Sequence, residues 1–103
     1  MKSAKGMKVI AEFSIHPVGE GTSLSGFVKT AVAELRARKG LRVSVTPMGS
    51  VIEADRLSDV LSAVEACNER LFREGAKRVI LTLRVDDRRD KRRAMEDKVA
   101  AVG

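Results

Sequence analysis

The sequence predicts an α+β domain: a ferredoxin-like βαββαβ sandwich whose antiparallel sheet is covered on one face by two helices, with a short helix after the last strand. Three observations lead there. Apolar residues alternate at period two in several segments, they recur at three- and four-residue steps in two others, and the segments follow one another as strand, helix, strand, strand, helix, strand. Each crossover then skips a sheet position that a strand of the other crossover fills, which makes the sheet antiparallel.

The first strand runs from Lys8 to His16, with Val9, Ala11, Phe13 and Ile15 on one face and Glu12, Ser14 and His16 on the other. Pro17 to Gly21 ends it, and Thr22 or Ser23 caps the first helix by accepting from an orphan backbone N–H. Leu24, Phe27, Val28, Ala31, Val32 and Leu35 form that helix's apolar stripe, and Gly40 follows its basic last turn as a stop. Arg42 to Pro47 is a second strand with Val43 and Val45 inward. Met48-Gly49 leads through a hairpin to a third strand, Ser50 to Ala54. In the second helix Leu57, Val60, Leu61, Val64, Cys67 and Leu71 share a face, with Asp55 as its cap and Gly75 near its end. Arg78 to Asp86 is the last strand, with Val79, Leu81, Leu83 and Val85 on one side. A short helix over Arg88 to Val99, capped by Asp87, completes the chain.

The chain has 103 residues, enough for one domain that buries roughly 60–70% of its unfolded surface. Residues 1–6 read as a flexible start and 7–103 as the domain. With 44% apolar and 33% charged residues the balance is that of a globular protein, and no apolar run has the roughly 20 residues that span a bilayer. No apolar run typical of a signal peptide follows the lysines at the start, so the expected location is the cytoplasm. One cysteine permits no internal disulfide, and with a single histidine no N/S zinc site within one chain. The net charge of +6 favours anionic partners at long range. Nucleic acid is nevertheless disfavoured, because three Phe are the only aromatics available for stacking. Arg88 to Lys98, with six basic and three acidic residues, reads as a solvated face.

Few residues point to chemistry. His16, before Pro17, reads as an ordinary loop histidine, and Cys67, on an apolar stripe, as a buried inert thiol. The loop Gly19 to Ser25 runs into a helix start, where free N–H groups suit an anion, but it lacks the third glycine of a dinucleotide fingerprint and the Gly-Lys-Ser/Thr of a P-loop. Arg84 and Asp86 are candidates for the edge of a pocket beside the first helix start. Adjacent carboxylates on a strand point to opposite faces, so Asp86 and Asp87 do not form a catalytic pair. The uncovered sheet face carries Ile10, Glu12, Ser14, Ser44, Thr46, Ile80, Thr82 and Arg84, a mixture that suits a subunit contact or a ligand site, and a homo-oligomer is expected.

Three segments, Pro17 to Ser25, Pro47 to Glu53 and Thr82 to Arg89, together resemble the thiamine-binding protein family related to YkoF. The resemblance implies a ferredoxin-like subunit that assembles into a homodimer or homotetramer. It also implies non-catalytic binding of thiamine or its hydroxymethylpyrimidine moiety; the net charge of +6 adds a thiamine phosphate as a candidate, and no cofactor, metal or membrane is expected. Carried over by motif, the ligand-binding candidates are Thr22, Ser23 and Ser25, then Met48, Gly49 and Glu53, then Thr82, Arg84 and Asp86. Glu53 would accept from the aminopyrimidine amine, Met48 would pack on the ring, and hydroxyls would hold ring nitrogens. This chain has Ser50 where the family often has Thr, Ala54 where Gly is common and Phe27 where Tyr is frequent. Two other readings stand beside this one: a structural or regulatory oligomeric module, and nucleic-acid binding through Arg88 to Lys98.

Overall fold

The computed structural model describes residues 8–19, 25–90 and 99. Their elements are β1 (Val9–Pro17), α1 (Ser25–Arg36), β2 (Arg42–Thr46), β3 (Gly49–Ala54), α2 (Leu57–Arg73) and β4 (Val79–Asp87). The four strands form one antiparallel sheet in the order β2-β3-β1-β4. β1 is central because its alternation serves two neighbours. Val9 faces Ala54 on one side and Asp87 on the other, and Phe13 faces Ser50 and Leu83. Backbone bonds from Val18 N–H to the Arg78 carbonyl at 2.8 Å and from Arg88 N–H to the Lys8 carbonyl at 3.0 Å extend the β1–β4 ladder at both ends.

Both helices cover the face that carries Val9, Ala11, Phe13 and Ile15, all buried in one cluster with Ile52 and Ala54 from β3, Ala31 and Leu35 from α1, and Val60, Ala63, Val64, Cys67 and Leu71 from α2. Fully burying a side chain such as Phe13, Ile52, Leu35 or Leu71 contributes about 1.5–3 kcal/mol. The helices are tied to each other at three levels: the Cys67 thiol donates to the Ala31 carbonyl at 3.4 Å, Arg70 donates to Glu34 at 3.1 Å, and Arg38 donates to Ser62 at 2.9 Å. Burial first, and the Glu34 carboxylate second, push the Cys67 thiol from 9.0 up to about 12, against a smaller opposite pull from Arg38. The thiol therefore stays protonated at neutral pH, as an inert core group.

The end of α2 shows why Gly75 follows it. Ala76 N–H donates to the Leu71 carbonyl and Gly75 N–H to the Phe72 carbonyl, with Gly75 at φ 111°. These are the two bonds of a Schellman motif, and the accompanying apolar contact is between the buried Leu71 and Ala76.

Several expectations need correction. The β2–β3 turn residues are Pro47 and Met48, while Gly49 already belongs to β3 and pairs with Thr46. The N-cap of α2 is Arg56, which makes no side-chain capping bond, because the helix starts at Leu57, two residues after Asp55. Asp87 is the last residue of β4, and Arg88 to Asp90 are not helical, so no helix starts there; residues 91–98 lie outside the described residues. Val45 and Leu61 are about half exposed, Val45 because α1 stands away from this end of the edge strand β2. The row Val79, Leu81, Leu83 and Val85 has the expected phase but is only partly covered, since β4 is the other edge. His16 lies within β1 opposite Ile80, on the face without helices, rather than in a loop.

Among the described glycines, Gly49 alone has no room for a side chain. A β-carbon there would stand 2.7 Å from the Phe13 carbonyl oxygen and 3.3 Å from the Ser14 β-carbon, and φ is +147°. Both the contact with fixed backbone and the torsion oppose any larger residue. Gly49→Ala is expected to lower the unfolding free energy by about 1–3 kcal/mol in urea titrations. An unchanged midpoint would show that the two strands can part there without cost.

Candidate functional site

Burial along α1 grades from one end to the other. Leu35 and Ala31 are buried, Val32 is half-buried, and Val28, one turn from the helix start, is 44% exposed. The helix is thus most deeply seated at its C-terminal end, while near its start Phe27 packs against the core and Val28 is left beside an opening. On the opposite wall the β2–β3 hairpin presents Val45, 49% exposed, and Met48, 81% exposed at the turn. Between these walls lies a cleft of about 220 Å³, floored by Phe13, Ile15 and Ser50 and closed at the sides by Thr46, Pro47 and Gly49. Its described lining holds no charged or titratable side chain.

The hairpin wall is held in shape by its own hydrogen bonds. The Thr46 hydroxyl donates to the Gly49 carbonyl at 3.0 Å and accepts from the Met48 N–H at 3.2 Å, which fixes the two-residue turn. Thr46 is therefore occupied in making the turn. Ser50 differs: it lies on the helix side of β3 in the same phase as Ile52 and Ala54, and it is only 6% exposed.

The nine candidate residues fall on two faces. Met48 and Gly49 line the cleft. Ser25 is the first residue of α1, the helix that forms one wall, whereas Thr22 and Ser23 lie outside the described residues. Glu53, Thr82, Arg84 and Asp86 occupy the sheet face without helices, because they alternate with the core residues Ile52 and Ala54 and with Leu83 and Val85. The pocket edge expected to join Arg84 and Asp86 to the start of α1 is not formed, since strand parity turns these side chains away from both helices. They line instead a shallow depression with Ile10, Glu12 and Val51.

Glu53 is fully buried despite its place on the open face, and its carboxylate accepts from the Arg42 guanidinium at 2.8 Å. Arg84 approaches Glu12 at 3.7 Å with both side chains largely in water, a contact of little energetic weight. At the end of β4 the arginines are paired locally. Arg88 forks onto Asp90 at 2.6 and 3.0 Å, and Arg89 onto Asp87 at 3.3 and 2.9 Å. The hydrogen bond from Arg89 holds the Asp87 carboxyl below the usual carboxylate range, and the same pairing raises the Arg89 guanidinium. Part of the basic segment is thus matched by carboxylates rather than left open to an anion.

Val28, Val32, Val45 and Ser50 line the cleft without standing out in the sequence as site residues. The signal for Ser50 is there to be read: it is a polar residue at an apolar phase of a strand.

Comparison with known proteins sets this small α+β domain, with its cleft between a helix and a hairpin, within a defined class. Residues 11–103 match the sequence model of the thiamine-binding protein family, and the chain belongs to that family. It is 39% identical over 95 residues to a UPF0045 protein of Methanothermobacter thermautotrophicus, covering 91% of this chain and 95% of the relative. The solved structure of the hypothetical protein MJ1052 of Methanocaldococcus jannaschii is similar with a TM-score of 0.80 and 37% identity, over 94% of this chain and 98% of that one. A Thermotoga maritima protein, described as a proposed thiamine biosynthesis/salvage protein, shares the fold with a TM-score of 0.74 at 21% identity, over 92% and 98% of the two chains.

Proposed function

We propose that the protein binds thiamine, its hydroxymethylpyrimidine moiety or a thiamine phosphate without catalysing a reaction on it, and that the pyrimidine ring occupies the cleft between α1 and the β2–β3 hairpin. The observation that carries this reading is the cleft itself, in a chain of the thiamine-binding family. Pockets for drug-sized ligands enclose roughly 300–1,000 Å³. A space of about 220 Å³ suits one substituted ring and leaves a second ring, and any phosphate, outside. Its walls are apolar, and burying a flat ring between Val28, Val45 and Phe13 supplies affinity without charge. The described lining carries hydroxyls but no titratable acid or base to activate them, which supports binding rather than catalysis.

The scaffold is read as ferredoxin-like. The order β2-β3-β1-β4 with one helix in each crossover supports this, because each crossover skips a strand of the other. Self-association into a homodimer or homotetramer is part of the same proposal. Its support is the open sheet face, where Ile80 is 44% exposed beside the polar row of Glu12, Thr82 and Arg84. Light scattering at tens of micromolar is expected to give the mass of two or four chains, and a single-chain mass would reject this part.

Thermal unfolding with thiamine, hydroxymethylpyrimidine, thiamine phosphate and thiamine diphosphate tests the ligand. A ligand that binds only the folded state adds about 2.7 kcal/mol at a hundredfold excess over Kd. At least one of the four is expected to raise Tm with concentration. Val28→Trp, which places an indole in the cleft from a half-exposed helix position, is expected to weaken that ligand at least about tenfold with the unliganded Tm retained. No rise with any ligand, or full affinity in the Trp variant, would contradict the assignment.

A further inference from the structure

We infer that Ser50 is the residue that makes the cleft selective for a heteroaromatic ring carrying a ring nitrogen. The inference rests on the reading of the cleft as the ligand site and adds the residue that sets its specificity. Among the described residues, three with hydroxyls line the cleft: Ser14, Thr46 and Ser50. Ser14 alternates with Phe13 and Ile15, so its side chain belongs to the face without helices. The Thr46 hydroxyl already donates to the Gly49 carbonyl and accepts from the Met48 N–H.

Ser50 is in neither situation. It stands between Val45 of β2 and Phe13 of β1, on the helix side of the sheet, and only 6% of it is exposed. Its hydroxyl has no hydrogen-bond partner among the described residues, yet no side-chain oxygen there is both sealed from solvent and unpartnered. The oxygen of Ser50 therefore keeps contact with solvent, and the cleft that Ser50 lines lies on its side of the sheet. A hydroxyl held among apolar groups is costly unless something meets it. It carries one donor and two lone pairs, so it can donate to a ring nitrogen of an aminopyrimidine and accept from the neighbouring amine. A carbocyclic ring of the same shape would leave it unmet, and the cleft would bind that ring less well.

The test pairs two proteins with two ligands. Calorimetric titration of the wild type and Ser50→Ala would use hydroxymethylpyrimidine and the benzene analogue in which both ring nitrogens are replaced by C–H. The wild type is expected to prefer the pyrimidine about tenfold, and Ser50→Ala to narrow that preference to about twofold. The unliganded Ser50→Ala protein is expected to unfold at the same or a higher temperature, since the hydroxyl loses no partner within the chain. A preference kept in Ser50→Ala, or a clear fall in its unliganded Tm, would overturn the inference and leave the cleft as a binding site. If the wild type binds neither compound, the reading of the cleft falls, and this inference with it.

Discussion

Gly49 meets β1 where a β-carbon would stand 2.7 Å from the Phe13 carbonyl oxygen, and the register of the sheet and the shape of the cleft both depend on this close approach. It brings the hairpin end of β3 against the middle of β1 and fixes the pairing of Phe13 with Ser50. Side chains alternate along a strand, so a one-residue slip would exchange the two faces of β3. In the observed register Ser50, Ile52 and Ala54 face the helices and Glu53 faces away. The cleft owes its floor to this register, and the two faces of the sheet owe their different chemistry to it.

The elements are legible in the sequence where one physical signal dominates. β1 reads directly from Val9, Ala11, Phe13 and Ile15, because a central strand with helices on one face buries every second residue. The same alternation in β4 gives the right phase but not the right burial, since an edge strand lacks a second neighbour. The cap of α2 is misread from sequence because Asp55 is the better capping residue by chemistry, while the helix begins one residue later and puts Arg56 at the cap position. Strand parity, visible in the sequence, already separates Thr82, Arg84 and Asp86 from the helix-facing row. Family likeness draws them together with Met48 and Gly49, and the backbone keeps them on opposite sides of the sheet. The cleft itself has no sequence signal, for it depends on how α1 and the hairpin are placed relative to each other over β1.

Charge gives a further constraint on the proposed ligand. A chain of net charge +6 does not gather a cation such as free thiamine from a distance. The described cleft lining carries no charge to offset this, so affinity must come from ring burial and from a few directional bonds. A neutral pyrimidine meets that requirement, and a phosphate ester would be drawn by the net positive charge of the chain. The fully buried Glu53 is engaged by Arg42 on the other face, where it ties β3 to β2 and adds no charge to the cleft.

The central claim is the place of the ring, and methyl NMR of the protein titrated with hydroxymethylpyrimidine addresses it most directly. The account predicts large shifts for the methyls of Val28, Val32 and Val45, which line the cleft, with those of Val51 and Ile80 on the opposite face unmoved. Shifts confined to Val51, Ile80 and Ile10 would place the ligand on the open sheet face and contradict the account.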